Sequence, residues 1–200
     1  MVIGTFIMVA TYSLFYIMTA FAQAYSRTPA TLSEAGYPMG LGIPANTFTG
    51  LLLMSAIVFA IFISISGLYA DKIGRRKWLI WTTVSILIFA LCMPLFLGNG
   101  TPTSVFAFLV IGMALMGMTF GPMAALLPEL FPTEVRYSGA SLAYNIASII
   151  GATIAAMISL KINALYGLMG VGIYLAINAF LTLLALLASK ETKNVDLTQI

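Results

Sequence analysis

The sequence predicts an all-α integral membrane protein with six transmembrane helices. Two observations carry that prediction. Of the 200 residues, 61% are hydrophobic and 8% charged, with a mean hydropathy of +1.05, whereas soluble domains run roughly 45 to 50% apolar and about 25% charged. So few charges cannot cover a water-facing surface, and lipid is the implied solvent. The charges are also clustered, leaving uncharged runs at 1–26, 35–70, 78–128, 137–160 and 162–189.

Each run is long enough to span, since a helix rising about 1.5 Å per residue crosses a hydrocarbon core of roughly 30 Å in about 20 residues. The 51-residue run at 78–128 holds two spans, parted at the turn-forming cluster Gly98-Asn99-Gly100-Thr101-Pro102-Thr103-Ser104. The expected spans are 1–25, 48–69, 78–97, 105–127, 138–160 and 168–188, followed by a cytoplasmic tail at 189–200. The first lacks a basic n-region and exceeds the roughly 7 to 15 apolar residues of a signal peptide, so it reads as a helix that stays. Continuous apolar runs do not fit a β-barrel, which needs alternating segments of about 10 residues. The loop from Ser26 to Thr47, with Pro38 and Pro44 delaying the second helix, reads as a solvent-facing connector. On the fourth span Gly112, Gly117 and Gly121 lie among Met113, Met116, Met118 and Met123. Gly117 and Gly121, four apart, let helices meet closely, and thioether side chains adapt to their neighbours.

Orientation follows from the basic residues. One face carries Lys72, Arg75, Arg76, Lys77, Arg136, Lys190 and Lys193, the other only Arg27 and Lys161. That bias places the loops at 70–77 and 128–138, and both termini, in the cytoplasm. The net charge of +3 thus expresses topology and gives no reason to expect nucleic acid as a partner. Arg75-Arg76-Lys77 is a short tract for which lipid headgroups are the nearer anion.

Enzymatic chemistry finds little support. There is no His, and Cys92 in the third span is the single Cys. Cys/His pairs, His-dependent triads and thiolate–imidazole metal sites are excluded, and no catalytic residue, metal ligand or cofactor is expected. All six acids, Glu34, Asp71, Glu129, Glu134, Glu191 and Asp196, fall in loops or the tail. Proton-coupled carriers need an ionisable group at membrane depth, so any protonatable coupling group lies elsewhere.

The most informative segment is Gly67-Leu68-Tyr69-Ala70-Asp71-Lys72-Ile73-Gly74-Arg75-Arg76-Lys77. Gly67 near a helix end allows close backbone approach. Asp71 suits a helix N-terminus or an Arg partner. Gly74 suits a tight reversal, and Arg75 and Arg76 can bond carboxylates or terminal helix carbonyls. The plainer reading is a short basic turn anchored by headgroups. A second loop reads Pro128-Glu129-Leu130-Phe131-Pro132-Thr133-Glu134-Val135-Arg136-Tyr137-Ser138-Gly139-Ala140-Ser141-Leu142-Ala143-Tyr144-Asn145.

The first loop resembles the signature G-x-x-x-D-x-x-G-R-[RK] of the major facilitator superfamily, and the second resembles that superfamily's E-x-x-P-x-x-x-R core. The wider string resembles the metabolite:H+ symporter family, as does the ending Glu191-Thr192-Lys193-Asn194-Val195-Asp196-Leu197. Position 134, often basic in that string, is Glu134 here. The resemblance implies the C-terminal half of a twelve-helix secondary carrier: six helices as an inverted three-plus-three repeat, with solute held at midmembrane between two halves. It further implies the bacterial inner membrane, a small-molecule solute such as an organic acid or osmolyte, and proton coupling through the missing N-terminal half. A second copy of the chain in place of that half, or a non-transporting membrane scaffold, are the alternatives.

Two polar stripes are candidate solute contacts. Tyr12, Tyr16, Thr19 and Gln23 are spaced 4, 3 and 4 apart on the first span, within about 60° of one another on a regular helix. Ser141, Asn145 and Ser148 form a second stripe on the fifth span, with Tyr144 beside it. Interhelical hydrogen bonding is the plainer reading of both, and the architecture that the resemblance implies favours a cavity. Tyr174 and Asn178, on the last span, read as packing. Gly67, Asp71, Gly74, Arg75, Arg76, Glu129 and Arg136 are the expected inner latch. The neutral Tyr, Asn, Gln and Ser side chains leave sugars, betaines and carboxylates equally open as solutes.

Overall fold

The computed structural model describes residues 2–149, 151 and 155–189. Met1, Lys190, Lys193 and the family-like ending Glu191 to Leu197 lie outside the described residues.

The chain opens with α1 (Val2–Tyr16), which runs through a π turn (Ile17–Phe21) into α2 (Ala22–Arg27) without a break. After a loop, α3 (Ala45–Ile73) starts directly behind Pro44, whose fixed φ and missing N–H suit a helix entrance. It stops at Gly74, whose φ of 111° is open to glycine and strained for other residues. Immediately after comes α4 (Arg75–Leu91). The chain breaks at Cys92 and restarts as α5 (Met93–Leu97), with Pro94 in its first turn where the lost N–H costs nothing. Thr101 caps α6 (Pro102–Glu129) by accepting the Ser104 N–H at 3.2 Å. A 3-10 turn (Thr133–Val135) leads into α7 (Arg136–Ile149), and α8 (Ala155–Ala188) completes the fold.

Among the described residues there is no strand, only an isolated bridge between Leu32 and Pro38. The fold is all-helical and of membrane type. Among the described residues four stretches, Val2–Arg27, Ala45–Ile73, Pro102–Glu129 and Met157–Ala188, are long and apolar enough to cross a bilayer. The boundaries differ from expectation at both ends of the expected loop near Lys161. Helix α8 is already formed from Ala155, carries Lys161 on an exposed face, and is interrupted only at Gly167, with φ 68° and ψ −170°. The break is therefore a single-residue kink where a loop was expected, with helix on both sides.

Helix α6 packs along α3, and α1 lies against α8 and α7 while α4 joins α8 to α6. The α3–α6 seam is set by small residues. A Cβ on Gly117 would stand 2.7 Å from the Phe59 carbonyl oxygen, and one on Gly121 would stand 2.6 Å from that of Ile63. Ser66 Oγ closes the seam by donating to the Gly117 carbonyl at 3.0 Å. In the α1–α8 seam Thr182 Oγ1 donates to the Phe6 carbonyl at 2.7 Å and accepts the Ala10 N–H at 3.1 Å. Asn178 Nδ2 donates to Ser13 Oγ at 3.0 Å, so this polar residue is spent on packing. Most of the outward face of α3, including Leu53, Ile57 and Ile61, stays exposed and apolar, as a lipid-facing surface requires.

The loop between α2 and α3 is largely exposed, as expected of a solvent-facing connector, and is also tied back to the bundle. Its returning arm is bonded to the end of α2, through Leu41 N to Tyr25 O at 3.1 Å and Ile43 N to Ser26 O at 2.7 Å. Asn163 on α8 donates to the Pro38 carbonyl at 2.9 Å. The loop is folded onto the bundle because its proline and glycine turns bring backbone groups into register with one another.

Candidate functional site

Gly74 separates two helices by a single residue, so the end of α3 and the start of α4 present their charges together. Arg75 bonds Asp71 Oδ1 through Nε and Nη2, each at 3.2 Å, and through Nη1 it pairs with Glu129 at the end of α6. One guanidinium thus joins both charged turns, a geometry in which a planar fork does better than an ammonium. The Arg75 and Glu129 side chains are 22% and 11% exposed, against 62% for Asp71. Arg76 turns the other way, its Nε on the Leu186 carbonyl and Nη2 on the Leu187 carbonyl, both at 2.7 Å. These are among the last carbonyls of α8, which the helix itself leaves unpaired and where the dipole favours a cation. Arg136 sits at the start of α7 with Nε 3.4 Å from the Phe131 carbonyl.

Gly67 does not act as expected. A Cβ there would meet open space, and the close backbone approach is made by Gly121 from the opposite helix, whose own Cβ would lie 3.0 Å from Gly67 N. The spacing of the motif locates the crossing but not which partner must be small.

Next to the charged turns lies a cavity of about 750 Å³ between α6 and α7, with Met8 of α1 in its wall. Phe120, Met123, Leu127 and Ala140 make it largely apolar, while Thr133, Tyr137, Ser141 and Tyr144 supply hydroxyls and Arg136 the one positive charge. Such a wall can hold a small solute by its apolar body and orient its polar end.

Of the two polar stripes, Ser141 and Tyr144 line this cavity. Asn145 is exposed and bonds back to the Ser141 carbonyl at 2.8 Å, and Ser148 is half-buried. Tyr12 is buried and meets Tyr144 edge-on at 5.3 Å, the contact that links the stripes. Tyr16, Thr19 and Gln23 are half-buried and outside the cavity wall, and Thr19 Oγ1 donates to the Phe15 carbonyl at 2.7 Å. The expectation of one continuous stripe is corrected here. The π turn at Ile17–Phe21 inserts extra backbone between Tyr16 and Gln23, so a constant 100° step does not hold across it.

Sequence reasoning missed several contributors. Met8 stands one turn before Tyr12 on the same face, and Tyr137 is next to Arg136, so both had a positional signal. Phe120 and Met123 had none beyond lying on the glycine-rich helix. Trp78, whose Nε1 donates to the Met118 carbonyl at 3.1 Å, ties α4 to α6 through a backbone group invisible in sequence.

Residues 39–200 match the model of the sugar (and other) transporter family. The chain belongs to this family of the major facilitator superfamily. A Haemophilus influenzae protein named "Putative metabolite transport protein" is 86% identical over 200 residues, covering 100% of this chain and 46% of that protein. The inner membrane metabolite transport protein YhjE of Escherichia coli is 52% identical over 198 residues, covering 98% of this chain and 43% of its own. The proline/betaine transporter of Salmonella typhimurium is 32% identical over 149 residues, covering 72% and 29%. The chain spans about half the length, or less, of these curated relatives. No solved structure matches it. As a member of the sugar (and other) transporter family the chain stands among transport proteins and not among enzymes.

Proposed function

We propose that this chain forms the C-terminal six-helix half, an inverted three-plus-three repeat, of a secondary active transporter in the bacterial inner membrane. Its charged turns and both termini face the cytoplasm. In that setting the cavity between α6 and α7 is one wall of the solute pathway, and the solute is a small polar metabolite such as an organic acid or an osmolyte. The observation that carries the reading is the Arg75 bridge from Asp71 to Glu129 beside that cavity. An ion pair between two turns can hold one arrangement of the helices and release another, as alternating access requires. Metabolite and proline/betaine transport, named for the relatives, are the supporting context.

Protons, if they drive the transport, act through the other half. The six acids of this chain lie at Glu34, Asp71, Glu129, Glu134, Glu191 and Asp196, all outside the long apolar stretches or at their ends.

The test is complementation. The chain is co-expressed with the first half of the 86% identical relative, and uptake of labelled betaine, proline and a short organic acid is measured. Uptake that needs both pieces, and falls with Asp71→Asn or Tyr144→Ala, is the expected result. Uptake by the purified chain alone in liposomes would show a self-sufficient dimer, and no uptake in either arrangement would leave a membrane scaffold.

A further inference from the structure

The end of the bundle remote from Arg75 is closed by a built loop, whose contacts reach well beyond the two helices it connects. Its base is pinned to α2 by Leu41 N on Tyr25 O, Gly42 N on Thr28 O and Ile43 N on Ser26 O, at 3.1, 2.8 and 2.7 Å. Its tip is a small hairpin, with Met39 N on Thr31 O and Ser33 N on Tyr37 O, both at 2.8 Å. Positive φ at Gly36 (80°) and Gly42 (65°) permits the two reversals.

The tip has two anchors on α8. The buried Asn163 donates Nδ2 to the Pro38 carbonyl at 2.9 Å. The Tyr37 ring covers Gly167, where an added Cβ would come within 2.6 Å of Tyr37 Cδ1. That glycine is the kink of α8, so the ring is seated where the helix is broken. A third contact sets Leu41 against Gly100 in the turn between α5 and α6. Beneath the returning arm Ser26 is fully buried, its hydroxyl without a hydrogen-bond partner.

We propose that residues 28–44 are a releasable strap, fastened at Asn163 and Gly167, which closes this end of the bundle over Ser26. Its base is held by the three backbone hydrogen bonds to α2, whereas its tip is held to α8 by one neutral hydrogen bond and one half-exposed ring, so the tip is the end that can leave without unfolding the helices. Opening this end then requires the tip to leave α8, whatever solute the protein carries.

The experiment uses the whole chain in lipid nanodiscs, where both ends are accessible, with Cys92→Ser to remove the native thiol. Ser26→Cys reports the strapped end, and Ser55→Cys, at a buried position of α3, reports overall integrity. Maleimide labelling of the thiol at position 26 is expected to be slow. Adding Tyr37→Ala or Asn163→Ala is expected to speed it about fivefold or more, with labelling at position 55 unchanged. The strap is overturned if position 26 labels rapidly with both anchors intact, or if neither anchor variant changes its rate. It is equally overturned if positions 26 and 55 accelerate together, since the anchors would then serve global stability only. Tyr37 lies at an exposed tip, so its variant stays informative should Asn163→Ala fail to fold.

Discussion

Arg75, the first residue of α4, pairs with Glu129, the last residue of α6, so an ion pair spans the two charged turns. Both side chains are largely covered, and the second carboxylate on the same guanidinium, Asp71, is not.

That asymmetry gives the first prediction. Glu129→Gln is expected to lower stability by about 1 to 3 kcal/mol, between the values for surface pairs and buried ones. Asp71→Asn is expected to cost less than about 1 kcal/mol and to lose its effect in high salt. Reversible unfolding by SDS titration at two ionic strengths measures both. Equal effects for the two acids would contradict the assigned geometry.

Arg76 supports a second prediction through the end of α8. Removing its two bonds to the Leu186 and Leu187 carbonyls by Arg76→Met should cost about 1.5 to 3 kcal/mol, because charge-assisted hydrogen bonds exceed neutral ones. Arg76→Lys should recover part of that loss, since an ammonium supplies charge at the helix end without the planar fork. The same unfolding titration ranks the three proteins.

Two glycines of α6 should differ sharply from one of α3. Gly121→Val forces side-chain carbon into the Ile63 carbonyl and Ser66, and Gly117→Val into Phe59 and Phe62. Each should separate α3 from α6 at a cost of about 1 to 3 kcal/mol or more. Gly67→Ala, opening into empty space, should be neutral or slightly stabilising. Thermal stability in detergent decides it, and a damaging Gly67→Ala would show that the seam is assigned to the wrong helix.

Gly74 tests the backbone alone. Its φ of 111° lies where L side chains are strained, so Gly74→Ala should cost roughly 1 to 2 kcal/mol and disturb the Arg75 pairings. Hydrogen exchange at the Trp78 amide, bonded to the Gly74 carbonyl at 3.0 Å, should rise in that variant while the amides of α6 stay protected.

Membrane character and helix type were legible because they follow from composition and run length. Charged partners were legible by type: Arg75 could be assigned carboxylates or carbonyls, since its charge demands one or the other. Which carboxylate it finds depends on where α6 ends, a tertiary fact. The cavity was legible in Ser141 and Tyr144 and not in Phe120 or Met123, because apolar side chains on an apolar helix carry no mark of the face they show. The loop over Ser26 was opaque for a related reason. Most of its fastening is backbone to backbone, and a sequence displays side chains.

The π turn at Ile17–Phe21 leaves Tyr12 and Gln23 in two different helical frames on either side of one widened ring. A residue-by-residue scan from Val2 to Arg27, plotted against position, will therefore not follow one wave. Sensitivity should rise and fall with a regular period up to Tyr16, lose its phase across the next five positions, and resume from Ala22 with its maxima displaced. Deleting one residue inside the turn is then the natural way to bring the two waves back into step.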